Sequence, residues 1–210
     1  MILLCIVTIF SKSTTANADD RYVKLCERYF TEFAEDYGKF GQKDGFTYLY
    51  SDKKNTATIV AIPMEQKKVA VPEKINGKTV TKIELMDVFS CSSNYYFRDE
   101  FYGEHEDNPV PKVEYLSIPK TVKVINIYAG IGLTEGYCGE LQSYLVHLKK
   151  FNVASANKWY RSYKGMLYTK NGKKLLLVPR KYMAKTVKVK KGTTKIADSA
   201  FSFCTNIKKV

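Results

Sequence analysis

The chain has 210 residues, a formal net charge of +13, 45% hydrophobic residues and 26% charged residues. This composition excludes a wholly disordered chain and fits one domain or two small ones. The 16 tyrosines, against a single tryptophan, favour β-strands, because aromatic side chains suit a half-buried pleated surface.

A short apolar run, Ile2 to Phe10, opens the chain and is followed by polar residues and by Ala16-Asn17-Ala18. The run is too short to span a bilayer, but it is typical of a signal peptide, and small residues at 16 and 18 suit signal peptidase. We therefore expect residues 1–18 to be removed, leaving a secreted or cell-surface protein without a membrane span. A buried strand is the alternative interpretation.

The next segment, residues 19–44, is predicted to be an N-terminal cap. Aromatic residues recur at helical spacing between residues 19 and 40, and Gly38 and Gly41 follow as a helix stop. A helix face with this many aromatic residues needs a surface to pack against, and the terminal repeat of a solenoid offers one. A helix that binds a partner or a lipid surface is the alternative.

From Gly45 the pattern changes to the alternation of strands. Phe46–Tyr50 and Thr56–Val60 flank a polar stretch and predict one β-hairpin. Met166–Thr169 and Leu175–Val178 predict a second hairpin, whose Asn171-Gly172 pair suits the positive φ angles of a tight turn.

These hairpins belong to an internal repeat. Gly45-Phe46-x-Tyr48, with Ile62-Pro63 and Val69-x-Val71 after it, recurs as Gly165-Met166-Leu167-Tyr168, Val178-Pro179 and Val187-x-Val189. A shorter cassette, apolar-x-apolar, a turn and then apolar-x-x-Ile, begins at Val69, Leu116 and Val187. Each such unit is too small to bury its apolar side alone, so neighbouring units must stack into one core.

The cassettes, together with the tail Ala200-Phe201-Ser202-Phe203-Cys204, resemble the BspA-like leucine-rich repeats. The resemblance covers about residues 45–210, with the last repeat truncated at Val210. It implies a right-handed, strand-rich leucine-rich-repeat-type solenoid, with irregular repeats and β-hairpin insertions, behind the N-terminal capping α-helix. It also implies an exported, surface-exposed protein that acts in adhesion or protein binding and has no catalytic residues.

The chemistry-bearing residues agree with a non-catalytic protein. The two histidines, His105 and His147, lie in no recognisable catalytic or metal-binding motif, and no phosphate-binding glycine loop occurs. We therefore expect no enzyme activity, no cofactor and no metal site. The cysteines show no C-x-x-C pair, and we expect Cys91 and Cys204 to be buried free thiols.

Charge is distributed unevenly. Between Leu141 and Ala197 there is no Asp or Glu, while lysines and arginines with aromatic residues among them run through residues 149–191. Cations beside aromatic faces hold anionic groups while rings stack on sugars or bases. The candidate ligand-binding residues are Lys158, Trp159, Tyr160, Arg161, Tyr163, Lys173, Lys174, Arg180 and Lys181. A solvated basic surface with tyrosines in the core is the alternative.

The sequence supports two alternative functions. The first is an extracellular or cell-surface repeat module that mediates protein–protein interaction or adhesion. The second is a polyanion-binding module that holds an anionic glycan, a wall polymer or, less favoured, nucleic acid through residues 149–191. For this second function we expect the basic residues, Lys173, Lys174, Arg180 and Lys181 among them, to gather in one region of the solenoid.

Overall fold

A computed structural model describes residues 39–85, 111–126 and 144–210. The predicted signal peptide, most of the predicted capping helix and Cys91 lie outside these residues. The described residues form the strands β1 (Lys39–Lys43), β2 (Phe46–Ser51), β3 (Thr56–Ala61), β4 (Lys68–Ala70), β5 (Lys74–Ile75), β6 (Lys78–Ile83), β7 (Tyr115–Ile118), β8 (Val124–Ile125), β9 (Lys150–Val153), β10 (Tyr160–Tyr163), β11 (Met166–Thr169), β12 (Lys174–Leu177) and β13 (Lys195–Ile196).

Two parallel ladders enclose the main core. In the first, β4, β7 and β9 lie side by side, and Val69, Leu116 and Phe151 occupy equivalent positions with at most 2% of their surface exposed. In the second, β3, β6 and β8 pair in parallel, with isoleucines at the equivalent inward positions. The inward residues of both ladders belong to one hydrophobic cluster. Stacked short parallel strands that share a continuous core define a repeat solenoid, as the cassettes predict.

The internal duplication is confirmed in detail. In each copy a hairpin, β2–β3 or β11–β12, is antiparallel, and its last strand continues into a parallel pair, β3–β6 or β12–β13. Both hairpins have a register shift at the same place, between Thr47 and Tyr48 and between Leu167 and Tyr168. A sequence pattern of two hairpins therefore predicts two structural copies correctly.

Each hairpin has a third strand in front of it. β1 pairs with β2 and β10 pairs with β11, both antiparallel. The connecting turns are Asp44-Gly45 and Lys164-Gly165, and all four residues have φ angles between 52° and 84°. Two successive positive φ angles give the turn a twist that matches the strands, and glycine adopts them without steric cost.

The predicted helix over residues 19–40 is wrong at its end, because Lys39 and Phe40 belong to strand β1. All five residues of β1 pair with β2, and Gly41 lies opposite Tyr48 inside the strand. Aromatic spacing predicts helix here, but antiparallel pairing with β2 satisfies the backbone of these residues instead. The remainder of the predicted cap lies outside the described residues.

A second, smaller core fills the C-terminal coil. It includes Met166, Tyr168, Leu175 and Val187, and the half-buried Cys204 packs against it. The matched tail predicted from residue 200 onwards supplies Ala200, which is fully buried. Since β11 contributes Leu167 to the main core and Tyr168 to the second, the β10–β13 sheet lies between the two cores.

Candidate functional sites

The nine sequence-predicted residues are divided between the two ends of the β10–β13 sheet. One end, which we call the turn end, contains the start of β10, the turn between β11 and β12 and the start of β13. The other, the proline end, contains the Lys164-Gly165 turn and the segment around Pro179 that follows β12. Strand direction decides this division, because antiparallel β11 returns the chain to the turn end before β12 leaves it. The basic residues therefore do not gather in one region of the solenoid, as the sequence predicts, but lie at both ends of this sheet.

Lys158, Trp159, Lys173 and Lys174 lie at the turn end. The Trp159 side chain is 38% exposed, and the Nζ atom of Lys123 lies 5.6 Å from the centre of its ring. The backbone amide of Lys170 donates to the Trp159 carbonyl at 2.7 Å, which holds the start of β10 against the end of β11. The turn end therefore combines an exposed indole with several exposed cations.

Asn157 positions the turn end. Its side chain is fully buried, and its amide nitrogen donates to the carbonyls of Pro119 (2.8 Å) and Val122 (2.9 Å). Its Oδ1 accepts from the amides of Trp159 and Tyr160, both at 2.8 Å. A buried amide with all these partners is a strong positional constraint, because breaking it leaves several backbone groups unpaired. The preceding repeat thus fixes where Trp159 lies.

Two of the predicted tyrosines have structural roles. The hydroxyl of Tyr160 accepts from the backbone amide of Ile125 at 3.1 Å, and the ring packs against the main core. Tyr163 packs against the second core, in a T-shaped contact with Tyr168 at 6.2 Å between ring centres. Both tyrosines are only partly buried, so each combines a packing role with some exposed surface.

Arg180 and Lys181 lie at the proline end. The guanidinium of Arg180 lies over the Phe203 ring, 5.0 Å from its centre, and the amide of Lys181 donates to the Leu148 carbonyl at 2.8 Å. Arg161, on β10, is exposed and directly opposite Tyr168. Arg161 is the second residue of β10 and so lies beside the turn end, whereas Arg180 and Lys181 are separated from the lysines of the turn end by the length of β12.

One cation of the basic segment is already paired. Lys149 Nζ lies 2.8 Å from Glu114 Oε2. The hydrogen bond to Lys149 lowers the pKa of the Glu114 carboxyl, and the same bond raises the pKa of the Lys149 ammonium. This pair sits just before β7 and β9, so Lys149 is compensated within the fold.

A second surface, absent from the sequence predictions, is the outward face of β4, β7 and β9, which we call the central face. Here Lys68, Tyr115 and Lys150 form one row across the sheet, and Ala70, Ser117 and Asn152 form the next. A shallow concavity of about 480 Å³ lies on this face, lined by Lys68, Val69, Ala70, Tyr115, Ser117 and Asn152. The signal in the sequence was the x position of each apolar-x-apolar strand, which must point away from the core.

The described residues also bear on metal binding and on membrane-spanning helices. Among the residues that the structure describes, no three His, Cys, Asp or Glu side chains come close enough together to hold a metal ion. His147 is exposed, in the turn before β9. Within the described ranges, no helix is long and apolar enough to cross a membrane.

Comparison with solved structures finds similar chains. The pneumococcal vaccine antigen PcpA is 15% identical, with a TM-score of 0.35, over 81% of this chain and 64% of that one. A leucine-rich repeat protein from Eubacterium ventriosum is 16% identical, with a TM-score of 0.40, over 81% and 59% of the two chains. A leucine-rich cell surface protein from Faecalibacterium prausnitzii is 14% identical, with a TM-score of 0.37, over 84% and 31%.

The chain spans about three fifths of the first two of these structures and about a third of the last. Two of the three are described as leucine-rich. The repeat solenoid itself is established by the parallel ladders of this chain. No family model matches the sequence. No curated protein matches it either.

Proposed function

We propose that this chain is a non-catalytic repeat module that acts outside the cell or at its surface and mediates protein–protein interaction or adhesion through the central face. The location rests on the apolar run and Ala16-Asn17-Ala18 at the start of the sequence. The interaction rests on the concavity between the outward rows of β4, β7 and β9.

The shape of the central face carries this proposal. Ala70 and Ser117 are short and sit side by side on β4 and β7, while Lys68 and Tyr115 are long and form the neighbouring row. Short residues beside long ones leave a recess whose wall is a tyrosine, and tyrosine is among the residues that contribute most to protein interfaces.

The scaffold under the recess is closely packed. The inward residues Val69 and Leu116 are at most 2% exposed, and the amide of Val71 donates to the Ser117 carbonyl at 3.0 Å. A partner therefore meets a preorganised surface, which lowers the entropic cost of binding.

The test is to fill the recess. Ser117→Arg places a long charged side chain between Ala70 and Asn152, and Thr205→Arg makes the same change at an exposed site of the C-terminal coil. Immobilised wild-type chain and both variants are incubated with host-cell and bacterial surface proteins, and retained proteins are identified by mass spectrometry.

We expect at least one protein to be retained by the wild type and by Thr205→Arg but lost with Ser117→Arg. If Ser117→Arg retains the same proteins in the same amounts, the central face is not the interaction surface. If no protein is retained specifically by the wild type, the interaction function itself is wrong.

A further inference from the structure

The two copies of the hairpin unit differ in how their lysines are neutralised. In the first copy Lys82 of β6 forms an ion pair with Glu84, with 2.6 Å between Nζ and Oε2, and the Glu84 side chain is only 16% exposed. At the turn of the same copy, Asp52 pairs with Lys39 at 2.9 Å and with Lys78 at 2.6 Å. The fold thus supplies its own anions in this copy.

The ladders identify the equivalent positions in the second copy. Thr58 and Lys82 are neighbours across β3 and β6, as Lys174 and Lys195 are across β12 and β13. The amide of Glu84 donates to the Ile59 carbonyl at 2.8 Å, and the amide of Ala197 donates to the Leu175 carbonyl at 2.9 Å. Lysine 195 therefore occupies the place of Lys82, while Ala197 occupies that of Glu84.

In the second copy two lysines therefore lie side by side, and no acidic residue occupies the position of Glu84. Lys174 replaces Thr58 beside Lys195, and the two backbones lie about 4.8 Å apart as neighbouring strands. Both lysines are exposed, and no carboxylate among the described residues pairs with either. Adjacent like charges repel each other, so a bound anion is favoured there.

Two ordered turns add further cations to this pair. The hydroxyl of Thr193 donates to the Gly172 carbonyl at 3.1 Å, which holds the turn before β13 against the turn before β12. A Cβ atom on Gly172 would lie 2.9 Å from Cδ of Lys190, so that lysine crosses directly over the glycine. We call Lys173, Lys174, Lys190, Lys191 and Lys195 the lysine cluster.

We infer that the lysine cluster, together with Trp159, is a binding site for an anionic polysaccharide whose carboxylate or sulfate groups take the place of the carboxylate that Glu84 supplies in the first copy. The site takes from the basic segment 149–191 only the residues at the turn end of the β10–β13 sheet, and it adds Lys195 of β13. It concerns a different surface from the central face and does not depend on the function proposed for that face.

The aromatic content of the turn end favours a glycan over a nucleic acid strand. Trp159 is the one exposed indole here, and the other exposed aromatic ring of the described residues, Phe203, lies under Arg180 at the proline end. A single aromatic face suits the polarised C–H groups of one sugar ring. Nucleic acid strands are instead held by several successive aromatic platforms.

Trp159 also supplies the measurement, because it is the single tryptophan of the chain. The probe is a heparin oligosaccharide, titrated into the full chain while tryptophan fluorescence is recorded at several sodium chloride concentrations. We expect a saturable change in fluorescence and an affinity that falls steeply with salt, as ions bound to the lysines and the glycan are released.

Three variants locate the site. Lys174→Thr/Lys195→Thr should weaken binding by up to about 25-fold and flatten the salt dependence by about two units, since each lysine neutralises one anion. Ala197→Glu restores the carboxylate of the first copy and should weaken binding by up to about fivefold. Lys181→Thr, at the proline end, removes one charge and should change affinity by less than about twofold.

Far-UV circular dichroism checks that each variant folds. If the double lysine variant does not fold, Ala197→Glu still tests the site, because it leaves both lysines in place. The inference is overturned if the lysine variants bind like the wild type or if Lys181→Thr loses as much affinity as they do. If single-stranded DNA of equal charge binds more tightly than the heparin oligosaccharide, the ligand is a nucleic acid and the assignment of a polysaccharide is overturned. Absence of any heparin binding at low salt would remove the site altogether.

Discussion

The two copies of the hairpin unit have the same backbone plan but different neighbours. In the first, β6 is covered by β8, and Ile83 lies between Ile59 and Ile125 with 1% of its surface exposed. In the second, no described strand pairs with the outer edge of β13, and the equivalent Ile196 is 47% exposed. The same cassette residue is thus core or surface according to the coil that follows it, as expected when each repeat contacts only its neighbours.

The strongest test of this comparison removes the two isoleucines in turn. Ile83→Ala should lower the free energy of unfolding by about 2–5 kcal/mol, because it leaves a cavity in a filled ladder. Ile196→Ala should cost less than about 1 kcal/mol, because water already reaches the side chain. Urea unfolding followed by circular dichroism measures both. Equal losses for the two variants would show that β13 is as well covered as β6.

The third strands of the two copies give a second contrast. Gly41 on β1 lies opposite Tyr48, and Arg161 on β10 lies opposite Tyr168. A Cβ atom on Gly41 would lie 2.5 Å from the Tyr48 hydroxyl oxygen and 2.7 Å from Cζ. The side-chain amide of Asn76 donates to that hydroxyl, so the ring is not free to move aside. The first copy therefore requires glycine where the second accepts arginine.

Gly41→Ala should accordingly lower the free energy of unfolding by about 1–3 kcal/mol through overpacking. Arg161→Ala, the matched control, should change it by less than about 0.5 kcal/mol, since Arg161 is exposed. Thermal unfolding of the two variants separates these outcomes. If Gly41→Ala is as stable as the wild type, Tyr48 is not held in place by Asn76.

The same contrast explains what sequence reasoning could predict. The hairpins, the duplication and the short parallel strands all follow from local patterns: alternation, glycine at turns and apolar-x-apolar cassettes. Strand β1 was missed because Phe40 continues an aromatic spacing typical of a helix. Gly41 resembles a helix stop, yet its role depends on Tyr48, a neighbour that only the fold reveals.

The candidate sites were harder to predict for a related reason. The central face takes Lys68, Tyr115 and Asn152 from three strands, and only the parallel register brings them together. Within the basic segment, sequence proximity grouped Lys174 with Arg180, but β12 carries them to opposite ends of the sheet. The residue that lies beside Lys174 in the sheet is Lys195 on β13, although the two are distant in sequence.

The tails of the two copies offer a last comparison, between Cys204 and Cys91, which the sequence places at matching positions. The thiol of Cys204 donates to the carbonyls of Val178 and Pro179 at 3.5 and 3.6 Å and is half-buried. Burial raises its pKa to about 11, against a small opposing effect of Arg180. A raised thiol pKa stabilises the fold below the pKa of the unfolded chain, and that contribution is lost as the pH rises from about 9 to about 11.

Iodoacetamide reacts with the thiolate, and the raised pKa of Cys204 lowers the fraction of thiolate at pH 8 in the folded chain. Cys204 should therefore be alkylated about a hundredfold more slowly in the native chain than in urea. Peptide mass spectrometry reads each cysteine separately, so Cys91 serves as an internal comparison. If the duplication extends through both tails, Cys91 should be protected to a similar degree. Rapid labelling of Cys91 beside slow labelling of Cys204 would limit the structural repeat to the hairpins and ladders. Rapid labelling of Cys204 itself would contradict its packing against the carbonyls that follow β12.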